Sequence, residues 1–399
     1  MKGLFIYPNF SYTNPNQKQF ERLLSGLVDR CEIHILSRRG PRLQLTPGTI
    51  HYIQEESRIK SRFQHALQRV CPVLAYCPDE LRILINSSLK KTGMRLVEMD
   101  DFDFIATLSF PLSDQLVGYH ISKKHDIPWI AMFYDPWTDN PYRNKKGGIA
   151  KRIDAYYEKM VATNADAIIH TNNYIASIWE RRYGIPIKDK IHTLPFCYSK
   201  SMMAGIESRG KKRETIILSY VGSRFKQRNL QDVILAVKQL KDEGFKDIER
   251  LRIRIYGNKF DPDDTLIDDN GLSSIFEWHG VVPEESLSKI YMDSDLFIVI
   301  DSPGKMNIFF PSKLMDYFYF QKPIIGITPL NGVTSDYLNA SGNIAISNGD
   351  IESIKEILKV ICVQGPEFIN NDKGFWKSFN PEKIGADFLK IAESVRKHY

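Results

Sequence analysis

The segment Phe309–Tyr317 has residue types and a spacing suited to binding an anionic ligand. It predicts a helix that begins near Pro311, because proline suits the first turn of a helix. Ser312 can cap this helix or donate to a phosphate, and the helix N-terminus together with Lys313 favours a diphosphate. Asp316 lies one turn on, on the same face, where its carboxylate can accept from both hydroxyls of a ribose. The alternative is an ordinary capped helix that leads into a core strand.

A second candidate anion site follows the apolar run Ile216–Val221, which predicts a strand. Gly222 lets the backbone approach a ligand there, and three cations follow before a predicted helix begins: Arg224, Lys226 and Arg228. The spacing matches neither the dinucleotide fingerprint nor a P-loop, so a solvated basic turn is the alternative for this loop alone. Two basic, helix-initiating loops in one domain, both following strands, together suit a diphosphate that carries a ribose.

The elements that must position these residues alternate between strand and helix along the whole chain, which predicts parallel sheets covered by helices on both faces. In the first half we predict the strands Leu4–Tyr7, Glu32–Ser37, Ile50–Ile53, Phe104–Ser109, Trp129–Phe133 and Ala167–Thr171. In the second half we predict the strands Ile216–Val221, Leu251–Tyr256, Ile275–Trp278, Leu296–Ile300 and Pro323–Ile327. Two doubly wound domains would then bind ligands at the carboxyl ends of their strands, with a cleft between the domains as the default active site.

The predicted domain boundaries follow the break in this alternation, at the polar segment that contains Arg209-Gly210-Lys211-Lys212-Arg213. We assign residues 1–198 to an N-terminal acceptor-binding domain and residues 199–215 to a linker. Residues 216–375 form a C-terminal domain that binds the nucleotide. Residues 376–399 form a C-terminal helix that is expected to pack back on the N-terminal domain.

Composition excludes several classes of protein. The chain has no run of 18 apolar residues, so it predicts no membrane-spanning helix, and its first residues lead into a strand rather than a signal peptide. Its five scattered cysteines fit reduced thiols in a cytoplasmic protein. No Cys and His cluster has the spacing of metal ligands, so we predict no metal site.

The positive charge of the chain lies in its first half, where residues 1–198 carry 27 Lys and Arg against 20 Asp and Glu. Between Arg58 and Arg95 eight cations face only Asp79 and Glu80, with apolar residues interleaved. A basic amphipathic region of this kind indicates an anionic membrane surface, and a solvated helix face is the alternative. No nucleic-acid-binding motif is present, so we predict no nucleic acid partner.

Over nearly its whole length the chain resembles retaining glycosyltransferases of the GT-B fold, similar to family 4, which transfer sugars from nucleotide diphosphates in bacterial surface polysaccharide assembly. The segment Pro311–Tyr317 resembles the donor helix of that family, and Tyr220–Ser223 with the cations after it resembles the diphosphate loop. His279–Pro283 is similar to the loop whose backbone atoms read the base, and Asp135–Pro141 to a first-domain loop in one branch of the family.

The resemblance implies an α/β protein of two Rossmann-like, doubly wound domains that face a central cleft. It implies transfer of a hexosyl or N-acetylhexosaminyl group, with retention of configuration, from a UDP- or GDP-linked sugar to a lipid-linked or oligosaccharide acceptor. The product would enter O-antigen, capsule or exopolysaccharide. The nucleotide sugar is a substrate, and no metal or other cofactor is implied. We expect a cytoplasmic protein that is peripheral on the inner face of the plasma membrane.

The resemblance also assigns roles to residues of this chain. The implied catalytic residues are Asp135, Arg228 and Lys313. The implied donor-binding residues are Gly222, Ser223, Arg224, Lys226, His279, Val281, Asn307, Pro311, Ser312 and Asp316. The implied acceptor-side residues are Asn9, Tyr134 and Asp139. Arg224 or Arg228 and Lys313 would stabilise the leaving diphosphate, and Asp135 would act as the general base or, alternatively, cap the turn before Pro136.

The chain departs from the family pattern at two places. The family often carries two Glu residues on the donor loop; Asp316 occupies the second place and Ile308 the first, so Asn307 or backbone N–H groups are expected to contact the sugar hydroxyls. The glycine pair that usually follows the first strand is replaced by Pro8–Asn14, whose polar side chains are expected to serve phosphate or acceptor binding.

Two alternative functions stay open at this point. A nucleotide-sugar 2-epimerase has a similar two-domain build and would use several acids and His residues around the sugar. A non-catalytic relative would bind the nucleotide sugar without transfer, and the missing first acid of the donor loop favours it.

Overall fold

A computed structural model gives the structure of residues 1–7, 15–37, 48–52, 87–109, 112–141, 148–199 and 214–396. The chain divides into two compact units, the first formed by Met1–Cys197 with Phe379–Tyr399 and the second by Tyr198–Ser378. Several predictions fall outside the described residues: Asn9, residues 58–86 of the basic region, and residues 200–213 of the linker.

The strands of the first unit are short and apolar, and most are buried on both faces, as expected for a parallel sheet covered by helices. They are β1 (Lys2–Ile6), β2 (Glu32–Ser37), β3 (Thr49–Tyr52), β4 (Phe104–Leu108), β5 (Trp129–Phe133), β6 (Ala167–His170) and β7 (Ile191–Thr193). The helices before residue 198 are α1 (Pro15–Leu27), α2 (Ser87–Met99), α3 (Asp114–His125), α4 (Gly148–Asn164), α5 (Asn173–Tyr183) and the single turn α6 (Ile185–Lys188).

These seven described strands form one parallel sheet in the order β3-β2-β1-β4-β5-β6-β7. The strand order reverses direction between β1 and β4, which makes that point the topological switch where an open α/β sheet binds ligands. Trp129 of β5 starts its pairing with β4 opposite Ile105, and its indole Nε1 donates to Thr107 Oγ1 at 2.7 Å.

The C-terminal helix of the chain belongs to this first unit. It spans Pro381–Val395 and is labelled α13, because helices α7 to α12 of the second unit precede it along the chain. It packs very closely on α1. A Cβ atom at Gly26 or at Gly385 would overlap backbone atoms of the other helix, so glycine at both positions permits this packing. Phe388 of α13 then packs on Phe5 and Phe104, with ring centroids 5.8 and 5.6 Å apart, and covers the sheet.

The second unit repeats this architecture with six described strands. They are β8 (Ile216–Val221), β9 (Leu251–Tyr256), β10 (Phe276–Gly280), β11 (Leu296–Ile300), β12 (Ile324–Ile327) and β13 (Ile344–Ile346), all parallel in the order β10-β9-β8-β11-β12-β13. Its helices are α7 (Gln231–Asp242), α8 (Asp261–Asp269), α9 (Leu287–Asp293), α10 (Lys313–Tyr319), α11 (Val333–Ala340) and α12 (Ile351–Gln364). The switch point lies between β8 and β11.

The predicted fold class is confirmed, since both units are parallel sheets of Rossmann-like build. Each predicted strand is present, with bounds that agree or differ by at most two residues. The short strands β7 and β13 and the helices α2, α6, α8 and α11 are not among the elements predicted from the sequence. Among the described residues no helix combines the length and the apolar character that crossing a membrane requires.

His170 lies at the end of β6 and is fully buried in an aromatic cluster of the first unit. Its ring lies 5.5 Å from that of Phe133 and 4.8 Å from that of Trp179, measured between centroids, and no described residue hydrogen bonds with either of its nitrogens. Burial therefore lowers the pKa of His170 to about 3.

This lowered pKa predicts acid sensitivity. The unfolded chain binds a proton at His170 near its ordinary pKa of about 6.5, whereas the folded chain does so only near pH 3, so stability falls as the pH drops through this window. The slope is about 1.4 kcal/mol per pH unit. The free energy of unfolding, measured with urea at pH 7 and pH 5, should fall less in His170→Phe than in the wild type. His279→Phe, at an exposed position, should show the same fall as the wild type. Equal pH dependence of the wild type and both variants would contradict the argument.

Candidate functional site

The carboxyl edge of the second sheet carries the predicted site residues at its switch point. Gly222 follows β8 with φ at 148°, a conformation that L side chains rarely adopt. A Cβ atom at this position would overlap the Nζ atom of Lys313, and one at Gly257 would overlap the carbonyl oxygen of Gly222. Glycine at both positions therefore lets β8, β9 and the first residue of α10 meet closely.

Backbone hydrogen bonds fix the ends of the three neighbouring strands in this arrangement. The Gly222 N–H donates to Tyr256 O at 2.8 Å, and the Gly257 N–H donates to Gly280 O at 2.9 Å. The loops after β8, β9 and β10 are thus connected through glycines without side chains between them. This gives a ligand direct access to the backbone at the edge of the sheet.

Lys313 is the first residue of α10, and its ammonium group points back to the end of β8. Nζ donates to Val221 O and lies 4.6 Å from the ring centroid of Tyr220, in a cation–π contact. Burial is the main cause that lowers the pKa of Lys313 well below its usual value, and the positive charge of Arg228 lowers it further. Asp301 acts in the opposite direction. An anionic ligand beside Lys313 would favour the charged form of its ammonium group.

Arg228 supplies the second positive charge of this site. The residue closes a tight turn in which the N–H groups of Phe225 and Arg228 each donate to the other residue's carbonyl oxygen at 3.0 Å. Its Nε donates to Ile300 O, at the end of β11, at 3.0 Å. No described residue accepts a hydrogen bond from its two Nη atoms, which keeps that end of the guanidinium available for a bidentate contact with an oxyanion.

Arg224, predicted to contact the diphosphate, has a structural position instead. Only 1% of the residue is exposed, and Nη1 forms ion pairs with Asp263 at 3.1 Å and Asp264 at 3.2 Å. Nη2 donates to Asn258 O at 3.0 Å, and the same Asp263 oxygen accepts from the Leu230 N–H. Arg224 therefore fixes the loop after β8 to α8, because a buried guanidinium needs these acidic and carbonyl partners.

Asn307 is likewise occupied by the protein. Its amide nitrogen donates to Asp301 at 2.7 Å and to Thr334 at 3.1 Å, and its amide oxygen accepts from the Phe309 N–H at 3.0 Å. Asp301 also accepts from Thr328 at 2.8 Å. The side chain of Asn307 thus holds the donor loop in place through Asp301, which differs from its predicted contact with sugar hydroxyls.

The remaining residues of the predicted donor helix occupy different environments. Pro311 and Asp316 are buried, and an Asp316 oxygen lies 3.4 Å from the Ser199 N–H that donates to it. Ser312 precedes α10 at the cap position but its hydroxyl makes no capping hydrogen bond. Lys313 faces β8 from the start of the helix, and Asp316 lies one turn later.

The other predicted donor residues lie at the exposed rim of this edge. The His279 ring stacks on the Tyr256 ring with centroids 4.8 Å apart, and its Nε2 lies 3.3 Å from a Glu277 oxygen. Val281 is 80% exposed, an unusual exposure for an apolar side chain. Ser223 and Lys226 are exposed too. The loops after β8 and β10 therefore both carry side chains that are open to solvent.

In the first unit, Asp135 follows β5 at the carboxyl edge of the sheet. Its side chain is partly buried and makes no hydrogen bond or ion pair with any described residue, so the capping alternative has no contact to support it. Burial raises the pKa of Asp135 to about 6. A carboxylate with this pKa can exchange a proton near neutral pH.

The loop that follows Asp135 is fixed by a buried acid. Glu158 of α4 accepts from the Thr138 N–H at 2.8 Å and from Tyr183 at 2.7 Å, and it forms an ion pair with Arg182 at 2.6 Å. Arg182 also pairs with Asp139 at 2.6 Å. Asp139, predicted on the acceptor side, is thus part of this ion-pair network.

Tyr134, the other described residue predicted on the acceptor side, points into the interior. It is 6% exposed, its ring packs edge-on against Phe196, and no described residue hydrogen bonds with its hydroxyl. Burial raises its pKa well above the usual value. Its side chain packs in the core of the unit, which differs from a contact with acceptor.

Neither Asp301 nor Gly257 is selected from the sequence, and Tyr220 enters only within the segment Tyr220–Ser223, with no role of its own. Asp301 directly follows the buried strand β11, and an acid at the carboxyl end of a buried parallel strand is a signal that could have identified it. Tyr220 and Gly257 act through contacts that only the folded sheet creates.

Comparison with known proteins gives a match over this part of the chain. Residues 205–362 match the family model described as Glycosyl transferases group 1. The matched residues include Gly222, Arg228, Lys313 and Asp316, and therefore the edge of the sheet described above. Among curated protein sequences, none matches the chain.

Solved structures resemble the chain over nearly its full length. A glycosyltransferase from Rickettsia africae has a TM-score of 0.70 at 12% identity, covering 100% of this chain and 99% of its own. Anabaena HepE in complex with UDP and glucose has a TM-score of 0.67 at 10% identity, covering 99% and 100%. The lipopolysaccharide outer core galactosyltransferase WaaB has a TM-score of 0.62 at 14% identity, covering 99% of both chains. These likenesses show that the fold is GT-B.

The ion pairs of Arg224 predict a stability effect rather than a binding effect. Arg224→Met should lower the free energy of unfolding by about 3–5 kcal/mol, because Asp263 would be left buried without its cation. Lys226→Met, an exposed neighbour, should change it little. Thermal and urea unfolding measure both variants. An Arg224→Met protein with wild-type stability but no nucleotide binding would instead restore the predicted ligand contact.

Proposed function

We propose that this protein is a glycosyltransferase that transfers a sugar from a nucleotide diphosphate sugar to an acceptor hydroxyl. The observation that carries the proposal is that Lys313 lies against Gly222, within range of the charge of Arg228, at the switch point of a sheet inside the residues that match the glycosyl transferases group 1 model. Two cations beside an open backbone suit a diphosphate leaving group, whose negative charge grows as the glycosidic bond breaks.

The roles of the residues follow from their positions. Lys313, held by Val221 O, and Arg228, held by Ile300 O, would bind the diphosphate oxygens and stabilise the departing charge. We propose that these cations serve where other enzymes use a divalent metal. Arg224 and Asn307 would support the two donor loops without touching the donor, because their polar groups bond to the protein.

The donor contacts of Asp316 and of the rim stay predictions. Asp316 would accept from the ribose hydroxyls, and the loop at His279 and Val281 would contact the base. A UDP donor is supported by the UDP and UDP-glucose complexes of Anabaena HepE, which share the fold. GDP remains the alternative because backbone contacts accept either base.

We propose that Asp135 is the general base of the first unit. In the reaction the bond between the anomeric carbon and the diphosphate oxygen breaks, the acceptor oxygen bonds to that carbon, and Asp135 takes the acceptor proton. Retention of configuration and transfer of a hexosyl or N-acetylhexosaminyl group are parts of this proposal that rest on the resemblance of the sequence.

The acceptor and the pathway are proposed from the names of two structural neighbours. WaaB is named as a galactosyltransferase of the lipopolysaccharide outer core and WaaG as a glycosyltransferase involved in lipopolysaccharide biosynthesis. A lipid-linked or oligosaccharide acceptor in surface polysaccharide assembly is consistent with these neighbours. Peripheral attachment to the inner face of a membrane belongs to the same proposal.

One experiment tests the proposed activity directly. A thermal-shift panel of UDP, GDP, ADP, CMP and dTDP should show one diphosphate that raises the melting temperature by mass action. The matching nucleotide sugars are then incubated with the protein, with and without oligosaccharide acceptors. Transfer, or slow release of the nucleotide without acceptor, supports the glycosyltransferase. An isomerised sugar indicates an epimerase, and binding without any turnover indicates a non-catalytic relative.

The two cations predict a first set of variants. Lys313→Met and Arg228→Gln should each lower kcat by about 10² or more, since each removes a charge that stabilises the leaving group. Lys246→Gln removes an exposed cation of the same unit outside both loops and should leave kcat within about twofold. Steady-state kinetics with the cognate donor gives the comparison. Wild-type activity in both Lys313→Met and Arg228→Gln would refute the assignment of the donor site.

Asp135 predicts a pH dependence. The base must be deprotonated to act, so kcat/KM should fall as the pH drops below about 6 and reach a plateau above it. Asp135→Asn should abolish this limb and lower transfer while the affinity for the nucleotide diphosphate stays unchanged. Asp139→Asn, in the ion-pair network of Arg182, should keep the limb at pH 6. A variant Asp135→Asn with the wild-type profile would exclude this base.

A further inference from the structure

A basic groove lies between α2 and α3 of the first unit, with a volume of about 940 Å³. Five of its lining residues are Lys or Arg, and they come from both helices: Lys90, Lys91 and Arg95 from α2, and Lys123 and Lys124 from α3. Its three α2 cations belong to the basic region predicted from the sequence. Lys123 and Lys124 of α3 were not part of that prediction, because only the packing of the two helices brings them opposite α2.

The charge of this groove is poorly compensated. Glu98 is its one acid among the described lining residues, and it lies 3.3 Å from Lys124. No described carboxylate forms an ion pair with Lys91, Arg95 or Lys123, and all three side chains are exposed. The positive charge of Lys90 reaches across to α3, where it adds to burial in lowering the pKa of His120.

A solvated helix face in the same protein looks different. On α12, Lys359 lies 3.0 Å from Glu356, and on α13, Lys390 lies 2.9 Å from Asp387. Such pairing is ordinary for surface lysines and offsets their mutual repulsion. The groove between α2 and α3 instead keeps several cations close together in a concave surface, where their fields add.

We propose that this groove binds a phosphate-bearing anion. Lysine ammonium groups are point-charge ligands for phosphate, and Arg95 can bind two of its oxygens at once. A groove of this size accommodates more than one phosphate. The phosphates would belong either to anionic lipid headgroups or to a soluble phosphorylated molecule; both present the same chemistry. The lipid-headgroup alternative rests on and deepens the membrane attachment proposed above, whereas the groove contains none of the residues assigned to the transfer reaction.

The test uses the full chain, with two triple variants that remove equal charge from the same unit. Lys91→Gln/Arg95→Gln/Lys123→Gln empties the groove of three exposed cations. Lys151→Gln/Arg152→Gln/Lys159→Gln removes three exposed cations from α4 and is the matched control. Inorganic tripolyphosphate is the soluble probe, and the ring signals of His120, followed by NMR after histidine-selective labelling, are the local readout.

In the wild type and in the α4 control, tripolyphosphate should shift the His120 signals and raise the pH at which His120 titrates, because it offsets the charge of Lys90. In the groove variant the affinity for tripolyphosphate, read from the His120 signals, should fall by about tenfold or more. Raising the salt concentration should weaken binding in each protein. Equal affinities of the groove variant and the control would overturn the proposal, since charge alone and not the groove would then bind the anion.

Vesicles distinguish the two sources of phosphate. Co-sedimentation with phosphatidylglycerol vesicles that depends on the groove cations, without binding to phosphatidylcholine, assigns the site to lipid headgroups. Groove-dependent binding of tripolyphosphate without vesicle binding assigns it to a soluble phosphorylated molecule. Failure of both probes to distinguish the groove variant from the control refutes the site. None of these outcomes requires an active transferase, so they are separate from the tests of the proposed function.

Discussion

The structure of the second unit depends on how Lys313 is placed at the end of β8. An ammonium group removed from water needs acceptors or a negative partner, and here it has one carbonyl oxygen, the face of Tyr220 and the distant charge of Asp301. Position 222 favours glycine because its φ of 148° is one that L side chains rarely adopt, and a Cβ atom there would also displace this ammonium. The positive charge of Arg228 acts on Lys313, so positive charge is concentrated at this edge of the sheet.

Other polar groups maintain this arrangement without being available to a ligand. Arg224 ties the loop after β8 to α8, and Asn307 ties the donor loop to Asp301 and Thr334. In the first unit Glu158 and Arg182 hold the loop after Asp135 in the same manner. Each set pairs its buried charges internally, which lowers the cost of burying them. Arg228 and Asp135 keep unused hydrogen-bonding capacity at the carboxyl edges of the two sheets and are suited to act on substrates.

Much of the fold could be predicted from sequence, because apolar strand runs such as Leu296–Ile300 alternate with amphipathic helices and their order dictates a parallel sheet. The strands β7 and β13 were missed because three-residue runs give no usable periodicity. Helix α2 was not delimited from the sequence, because the basic region that contains it was described by its charge, with a helix face only as one alternative. Residue roles were harder to predict: the same loop contains Arg224 and Arg228, and no local pattern shows that one is buried against two acids while the other is not.

By itself the sequence determined the class of fold, the position of the candidate anion-binding loops after strands and the resemblance to nucleotide-sugar transferases. These depend on local periodicity and on residue types that lie close along the chain. The tertiary structure decided which side chains are free to act. Gly222 and Lys313 are far apart in sequence, as are Arg224 and Asp263, or Lys90 and His120, and their interactions exist only when parallel strands and helices pack side by side. Burial and charge at such long-range contacts set the pKa of Asp135 and Lys313, so their chemistry is a property of the folded chain.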